Sequence, residues 1–196
     1  MMIFSLVILG LLIFGAFILV GIYNSLVSLR NRYRNGFSQV DVQLKRRYDL
    51  IPNLIETAKG YMVHERGTLE AVVSARAKAT QANQNFAANP NSPDAMRQMA
   101  QAESGLSSAL SRLLVISEKY PQLKADSTMN HLMEELTSTE NRIAFARQAY
   151  NDAILEYNNN REVFPNVLLA SAFGFSAAEF FKIETEAERA APKVSF

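Results

Sequence analysis

A chain of 196 residues with 20 basic and 19 acidic side chains is almost neutral overall, which argues against a general nucleic-acid binder. It has no cysteine, so disulfides, thiolate metal sites and cysteine nucleophiles are excluded without any choice of compartment. Its length allows a single domain with a sizeable core after the opening segment.

Met2 to Ile22 is a run of 21 residues without a charge, and Arg30, Arg32 and Arg34 come after it. A helix of that length rises roughly 31 Å, which matches the hydrocarbon core of a bilayer. A secretory signal peptide would show a basic start, a shorter apolar stretch and small residues at the cut. Here no Lys or Arg precedes the run, and LVGIYN is a poor cleavage site. Residues 1–23 therefore read as a retained, single-pass transmembrane anchor. The nearby basic residues are all C-terminal to it, so the positive-inside rule places the main domain in the cytoplasm. Gly10, Gly15 and Gly21 lack the spacing of a GxxxG dimer face. Arg30, Arg32 and Arg34 are candidate contacts for membrane lipid, where each basic side chain near an anionic surface is worth about 1 kcal/mol. Lys45, Arg46 and Arg47 lie roughly 30 Å further along a straight helix, beyond that reach.

Helical periodicity dominates the chain beyond the anchor. Leu26, Leu29, Tyr33, Phe37, Val40 and Leu44 step by three and four and keep one apolar face. This helix can prolong the membrane span, since no proline intervenes and Gly36 is its only weak point. Asp49 then reads as an N-cap, with Pro52 in the first turn of a second helix. That helix carries Ile51, Leu54, Ala58, Met62, Leu69, Val72 and Ala79 towards Gln84, with Gly60 and Gly67 as points of bending. Asn85 to Pro93 is the clearest loop, and Ser92-Pro93 starts a third helix along Met96, Met99, Leu106, Leu110, Leu113 and Tyr120. Tyr120-Pro121 ends or kinks it. The fourth stripe is the most regular, running through Met129, Leu132, Leu136, Thr139, Ile143, Ala146, Tyr150, Ala153 and Tyr157, the seam of helices packed at small angles.

Beyond Phe164-Pro165 the pattern changes. Val163 to Ala178 carries no charge, and Phe164, Phe173, Phe175, Phe180 and Phe181 crowd into a short stretch. A short fifth helix and an FGF turn folding back onto the bundle is one reading. A surface for a neighbouring subunit, a partner or the membrane interface is the other, because apolar patches of that size seldom stay exposed. Pro165 and Gly174 interrupt any second span. The final APKVSF reads as an extended, frayed tail.

The sequence offers no catalytic site, metal site or cofactor site. HERGT at His64–Thr68 starts like a zinc-protease helix but has Thr68 where the second histidine belongs. His131 has Glu134 three residues on, the reverse of the Glu-x-x-His order of di-metal bundles, and it occurs once. GxxxxGK[ST], GxGxxG and GxSxG are all missing. Glu103 falls on the apolar stripe of the third helix, where a partner arginine from another helix is expected, since a lone buried charge is too costly.

Two long blocks, Gln39–Arg76 and Tyr120–Asn166, together with the FGF…FF ending, resemble the LemA family of bacterial membrane proteins. The resemblance runs in order over nearly the whole chain. It implies an N-terminal anchor, a soluble antiparallel helical bundle and no established enzymatic activity. It also implies kinship with a component of magnetosome membrane formation and genomic company with a membrane zinc metalloprotease. The polar residues inside its two strongest strings are Arg46, Arg47 and Asp49, then Glu140, Asn141 and Arg142. They are candidates for inter-helix ion pairs and caps, or for an interaction surface.

The expected fold is all-α: the anchor (1–23), an antiparallel bundle of about four long helices (24–163) and a short apolar helical segment with an extended tail (164–196). The expected function is that of a non-enzymatic, membrane-anchored scaffold that forms a homo-oligomer at the bacterial inner membrane, with the C-terminal phenylalanines as its assembly surface. The alternative is an adaptor or accessory subunit for a membrane protease or signalling protein. No nucleic acid is expected as a partner.

Overall fold

One helix, α1 (Met2–Lys59), runs unbroken for 58 residues from the apolar opening to the far end of the bundle in the computed structural model, which describes residues 2–182. Its first 21 residues project beyond the rest of the protein with nearly every side chain exposed, and it is long and apolar enough to cross a membrane. Leu26, the first fully buried side chain, marks where the bundle begins. After a turn at 60–65 the chain returns as α2 (Arg66–Ala88), reverses into α3 (Pro93–Ser117), passes through the single-turn α4 (Pro121–Ala125) and comes back as α5 (Ser127–Glu162). A short α6 (Asn166–Ala172) completes an all-α fold with no strand among the described residues. α1 lies along α5, α2 lies along α3, and α1 also meets α2.

The apolar stripes form one core. Ile51, Leu54, Ala58, Met62, Met96, Met99, Leu106, Leu113, Leu136, Ile143 and Tyr157 are all buried within it. Towards the membrane side the packing turns aromatic. Phe37 meets Phe86 edge-on at 4.6 Å and Tyr150 at 5.8 Å, and Tyr33 packs on Tyr157 at 5.1 Å. Gly36 is what lets α1 and α5 come so close there, because a Cβ on it would stand 3.2 Å from the Tyr150 Cα.

The first boundary differs from the sequence reading. Asp49 is not an N-cap but an exposed residue inside α1, and Pro52 sits in the helix interior. A proline there has no N–H for the carbonyl of Tyr48, four residues earlier, and the loss normally kinks or stops a helix. Arg76 of α2 supplies the missing donor: its Nε reaches the Tyr48 carbonyl at 2.6 Å. The compensation comes from 28 residues away, out of reach of local pattern reading. The second helix begins only at Arg66, and α2 runs on to Ala88, which shrinks the expected loop to 89–92.

Two caps are built from side chains. Ser92 Oγ accepts the Ala95 amide at 3.2 Å, and the Asp126 carboxylate accepts the Met129 amide at 2.9 Å. Asp126 also accepts the Tyr61 hydroxyl at 2.9 Å, tying the α5 start to the turn after α1. These two donors, the Met129 amide first, hold the Asp126 carboxyl below its ordinary value. Arg46 does the same to Glu135 through a 2.5 Å ion pair. With the folded-state pKa depressed, the unfolded chain binds more protons, so this stabilisation is complete above the unfolded carboxyl range and is lost as pH falls through the folded-state value. Denaturant midpoints should therefore drop as pH falls below about 4. Asp126→Asn and Glu135→Gln should each flatten that acid limb; midpoints with an unchanged pH slope in both would contradict the assignment.

Candidate functional site

Two constellations stand out, one inside the bundle and one at its membrane end. At mid-height α1 contributes Arg47 and Tyr48, one turn before Pro52. The Arg47 side chain is 1% exposed and forms an ion pair with Glu103 of α3, itself fully buried. Arg47 Nη1 also donates to Glu140 of α5 at 2.7 Å and to Ser107 of α3 at 3.3 Å. The Tyr48 hydroxyl donates to the Glu103 carboxylate and lies 3.4 Å from the Ala79 carbonyl of α2. One arginine and one tyrosine on adjacent positions thus connect all four long helices. A guanidinium has five N–H donors in a rigid fork, so it can serve two carboxylates and a hydroxyl at once. The cluster thereby ties polar side chains of α1, α3 and α5 to one another and reaches the backbone of α2.

The neighbouring candidates divide. Arg46 pairs with Glu135 of α5 at 2.5 Å, whereas Asp49, Asn141 and Arg142 are exposed on the outer faces of α1 and α5. One level closer to the membrane, Asp41 accepts the Asn83 amide of α2 at 2.7 Å. The three juxtamembrane arginines all have partners in the protein. Arg30 lies over the Phe175 ring at 5.0 Å, Arg32 pairs with Glu156 at 2.6 Å and Arg34 reaches Asn91 at 3.4 Å. His64 and His131 are exposed, and among the described residues no three His, Asp or Glu side chains are grouped to hold a metal ion.

The C-terminal phenylalanines also separate. Gly174, with a φ of +70°, makes the turn after α6 that L-residues with a Cβ rarely adopt. Beyond it residues 175–182 run back along the bundle as an extended strap. Phe175 and Phe181 are buried against the core, and Phe180 is partly covered. The strap is held by asparagines of α5. Asn158 donates to the Ala178 carbonyl at 2.9 Å and accepts its amide at 3.0 Å. Asn151 treats Phe181 in the same way, at 3.1 and 2.9 Å. The Tyr157 hydroxyl donates to the Ser176 carbonyl at 2.9 Å. Seven helical residues rise about 10.5 Å and three extended residues span about 10 Å, so two asparagines seven apart match two strap residues three apart. Each side-chain amide offers a donor and an acceptor, as a neighbouring strand would. Sequence reading missed both asparagines; the signal was their spacing, which places them on one face of α5 beside Tyr157. On the other side the strap borders α3, where Glu179, Phe180 and Lys182 face Met96, Arg97 and Ala100 across a shallow groove. The tail APKVSF lies outside the described residues.

Phe164 and Phe173 do the opposite. They are 80% and 59% exposed, at the end of the bundle where α1 leaves it. Residues 36–196 match the LemA family, covering most of the bundle, α6 and the strap. This chain belongs to the LemA family. Among curated proteins it is similar to two magnetosome proteins of Paramagnetospirillum magneticum, MamQ 1 and MamQ 2, each 26% identical over 175 residues and 82% of this chain. The MamQ magnetosome protein of Magnetospirillum gryphiswaldense is 25% identical over 174 residues, or 81% of the chain. The match spans 64% of the length of each of these relatives. The family match begins at Gly36, after the apolar run, so the LemA assignment rests on the bundle and not on the hydrophobicity of the anchor. The bundle and the apolar span together describe a membrane-associated LemA-family protein.

Proposed function

We propose that this LemA-family chain is a non-enzymatic, membrane-anchored helical scaffold that self-assembles at the bacterial cell membrane. The observation that carries the reading is the continuity of α1, a single helix that is both the span and the central strut of the bundle. A bundle joined to its anchor without a hinge presents its lateral faces at a constant height and angle, which favours repeated side-by-side contact. Buried charge in the bundle is used for joining helices, as Arg47 with Glu103 and Glu140 illustrates. The similarity to proteins named for magnetosomes supports a role in organising a membrane. The arginines after the span support a cytoplasmic bundle at the inner membrane.

The test is the mass of the full chain in nanodiscs beside residues 24–196 without the span. A large uniform assembly of the full chain is the expected result. A monomer or dimer in every form would overturn the scaffold. It would favour the second reading, an adaptor for a membrane protease or signalling protein, which has one observation behind it. At the end far from the membrane, Ile55, Met62, Val63, Leu69 and Val73 line an open apolar groove of about 650 Å³ between α1 and α2. An adaptor predicts a partner crosslinked there in equal stoichiometry.

A further inference from the structure

We propose that the corner between α5 and α6 is a second membrane contact, with Val163, Phe164, Leu168 and Phe173 resting in the leaflet from which α1 emerges. The inference rests on α1 crossing the bilayer, and it adds a point of attachment that the span alone does not provide.

Height is the first observation. α5 runs antiparallel to α1, and Arg32 pairs with Glu156. Carrying that register seven residues further brings Val163 level with Ser25, and Pro165 level with Tyr23. Direct contacts agree: the Phe173 ring meets Tyr23 edge-on at 5.2 Å and Phe175 does so at 5.6 Å. Tyr23 follows the strongly apolar run Met2–Ile22 and precedes the polar Asn24 and Ser25, a place where aromatic side chains mark the membrane–water boundary. The corner therefore lies at the edge of the hydrocarbon, beside Leu19 and Val20, which are themselves exposed on the protein.

Chemistry is the second. Val163 is 52% exposed, Phe164 80%, Leu168 64% and Phe173 59%, on a stretch with no charge from Val163 to Ala178. The opposite side of the corner is anchored: Ala170 and Phe175 are buried, and the Asn166 amide donates to the Asn160 carbonyl at 2.8 Å. A short helix is thus fixed with its apolar side chains outward at the one level where lipid is already present. An apolar surface at that height rests about 5–10 Å into the headgroup and acyl boundary. Charged groups flank it on the water side, Arg161 and Glu162 on α5 and Arg30 over the Phe175 ring. A second copy covering the same corner would first have to displace the lipid around α1. Other exposed apolar side chains, such as Phe145 and Val63, lie far along the bundle from this level.

The chain has no tryptophan, so a single one introduced by substitution is an unambiguous probe. Four full-length variants, Phe164→Trp, Leu168→Trp, Phe14→Trp and Phe145→Trp, would be placed in nanodiscs of phosphatidylcholine brominated on its acyl chains. All four sites are exposed, and far-UV circular dichroism would verify that each variant keeps its helix content. The expected result is loss of emission and a blue shift for positions 164 and 168, as for position 14 in the span, with position 145 unquenched. Unquenched, water-like emission at 164 and 168 beside a quenched position 14 would overturn the corner contact and leave the span standing. Unquenched but blue-shifted emission there would also overturn it, by placing the corner against protein. An unquenched position 14 would remove the span and the corner contact together.

Discussion

Replacing Arg47 with methionine is expected to destabilise the bundle by roughly 3–5 kcal/mol, the cost of leaving a buried carboxylate without its cation. Glu103 is fully buried on α3 and has nowhere to turn, whereas Glu140 keeps 39% of its side chain exposed and can face water. The loss therefore comes almost entirely from Glu103. Adding Glu103→Leu to Arg47→Met should recover most of it, because an apolar pair in that position removes the unpaired charge and the desolvation penalty together. Denaturant unfolding of the full chain in detergent, with the two single variants and the double, measures the coupling. A single Arg47→Met variant within about 1 kcal/mol of wild type would show, on the scale of a buried ion pair, that the charge is not held where the structure puts it. The double variant has a further use. If it regains stability but samples shifted helix pairings, the arginine is serving register more than stability.

Phe181→Ala is the second large effect. Deleting a buried aromatic side chain typically costs about 3–5 kcal/mol, and Phe181 has no exposed surface. Its place at the end of an extended strap changes how the loss appears. The strap is a small unit held by Asn151, Asn158 and Tyr157, and it can open without unfolding the helices. A cost of that size raises its open population roughly 10²- to 5 × 10³-fold. Trypsin should then cut after exposed Lys182 faster by a comparable factor, while the helical signal changes far less. Equal cleavage rates for the variant and the wild type would mean that the strap is not closed over the core.

The strap also shows where sequence reading stops. The long seams were legible because packing between helices imposes its own period: Met129 to Tyr157 step by three and four, and nearly all of those side chains are buried. Glu103 was legible for the related reason that a charge on an apolar stripe demands a partner, though nothing local named Arg47 as that partner. Extended backbone bonded to the side of a helix has no such period. Ala178 and Phe181 satisfy their amides with Asn158 and Asn151, so neither residue carries a sign of its own partner. Asp49 and Pro52 failed as the start of a second helix on the same principle, since Arg76 mends the broken bond from another helix. The phenylalanines read as one group because they share composition; the αL turn at Gly174 sorts them, sending Phe175 and Phe181 inward and leaving Phe164 and Phe173 outside.

The unbroken α1 also has a mechanical consequence. From Tyr23 to Lys59 it rises about 54 Å beyond the bilayer edge, and Arg76 removes the one flexible joint that Pro52 would have introduced. Membrane helices lean by about 20° on average, and lean more as the bilayer thins around them. A lean of that size swings the far tip of such a lever sideways by about 18 Å, which amplifies a few ångströms of bilayer thinning into a displacement wider than a helix. Copies spanning a bilayer of one thickness would share one lean, so their distal ends would stay in line with no moving part inside the protein.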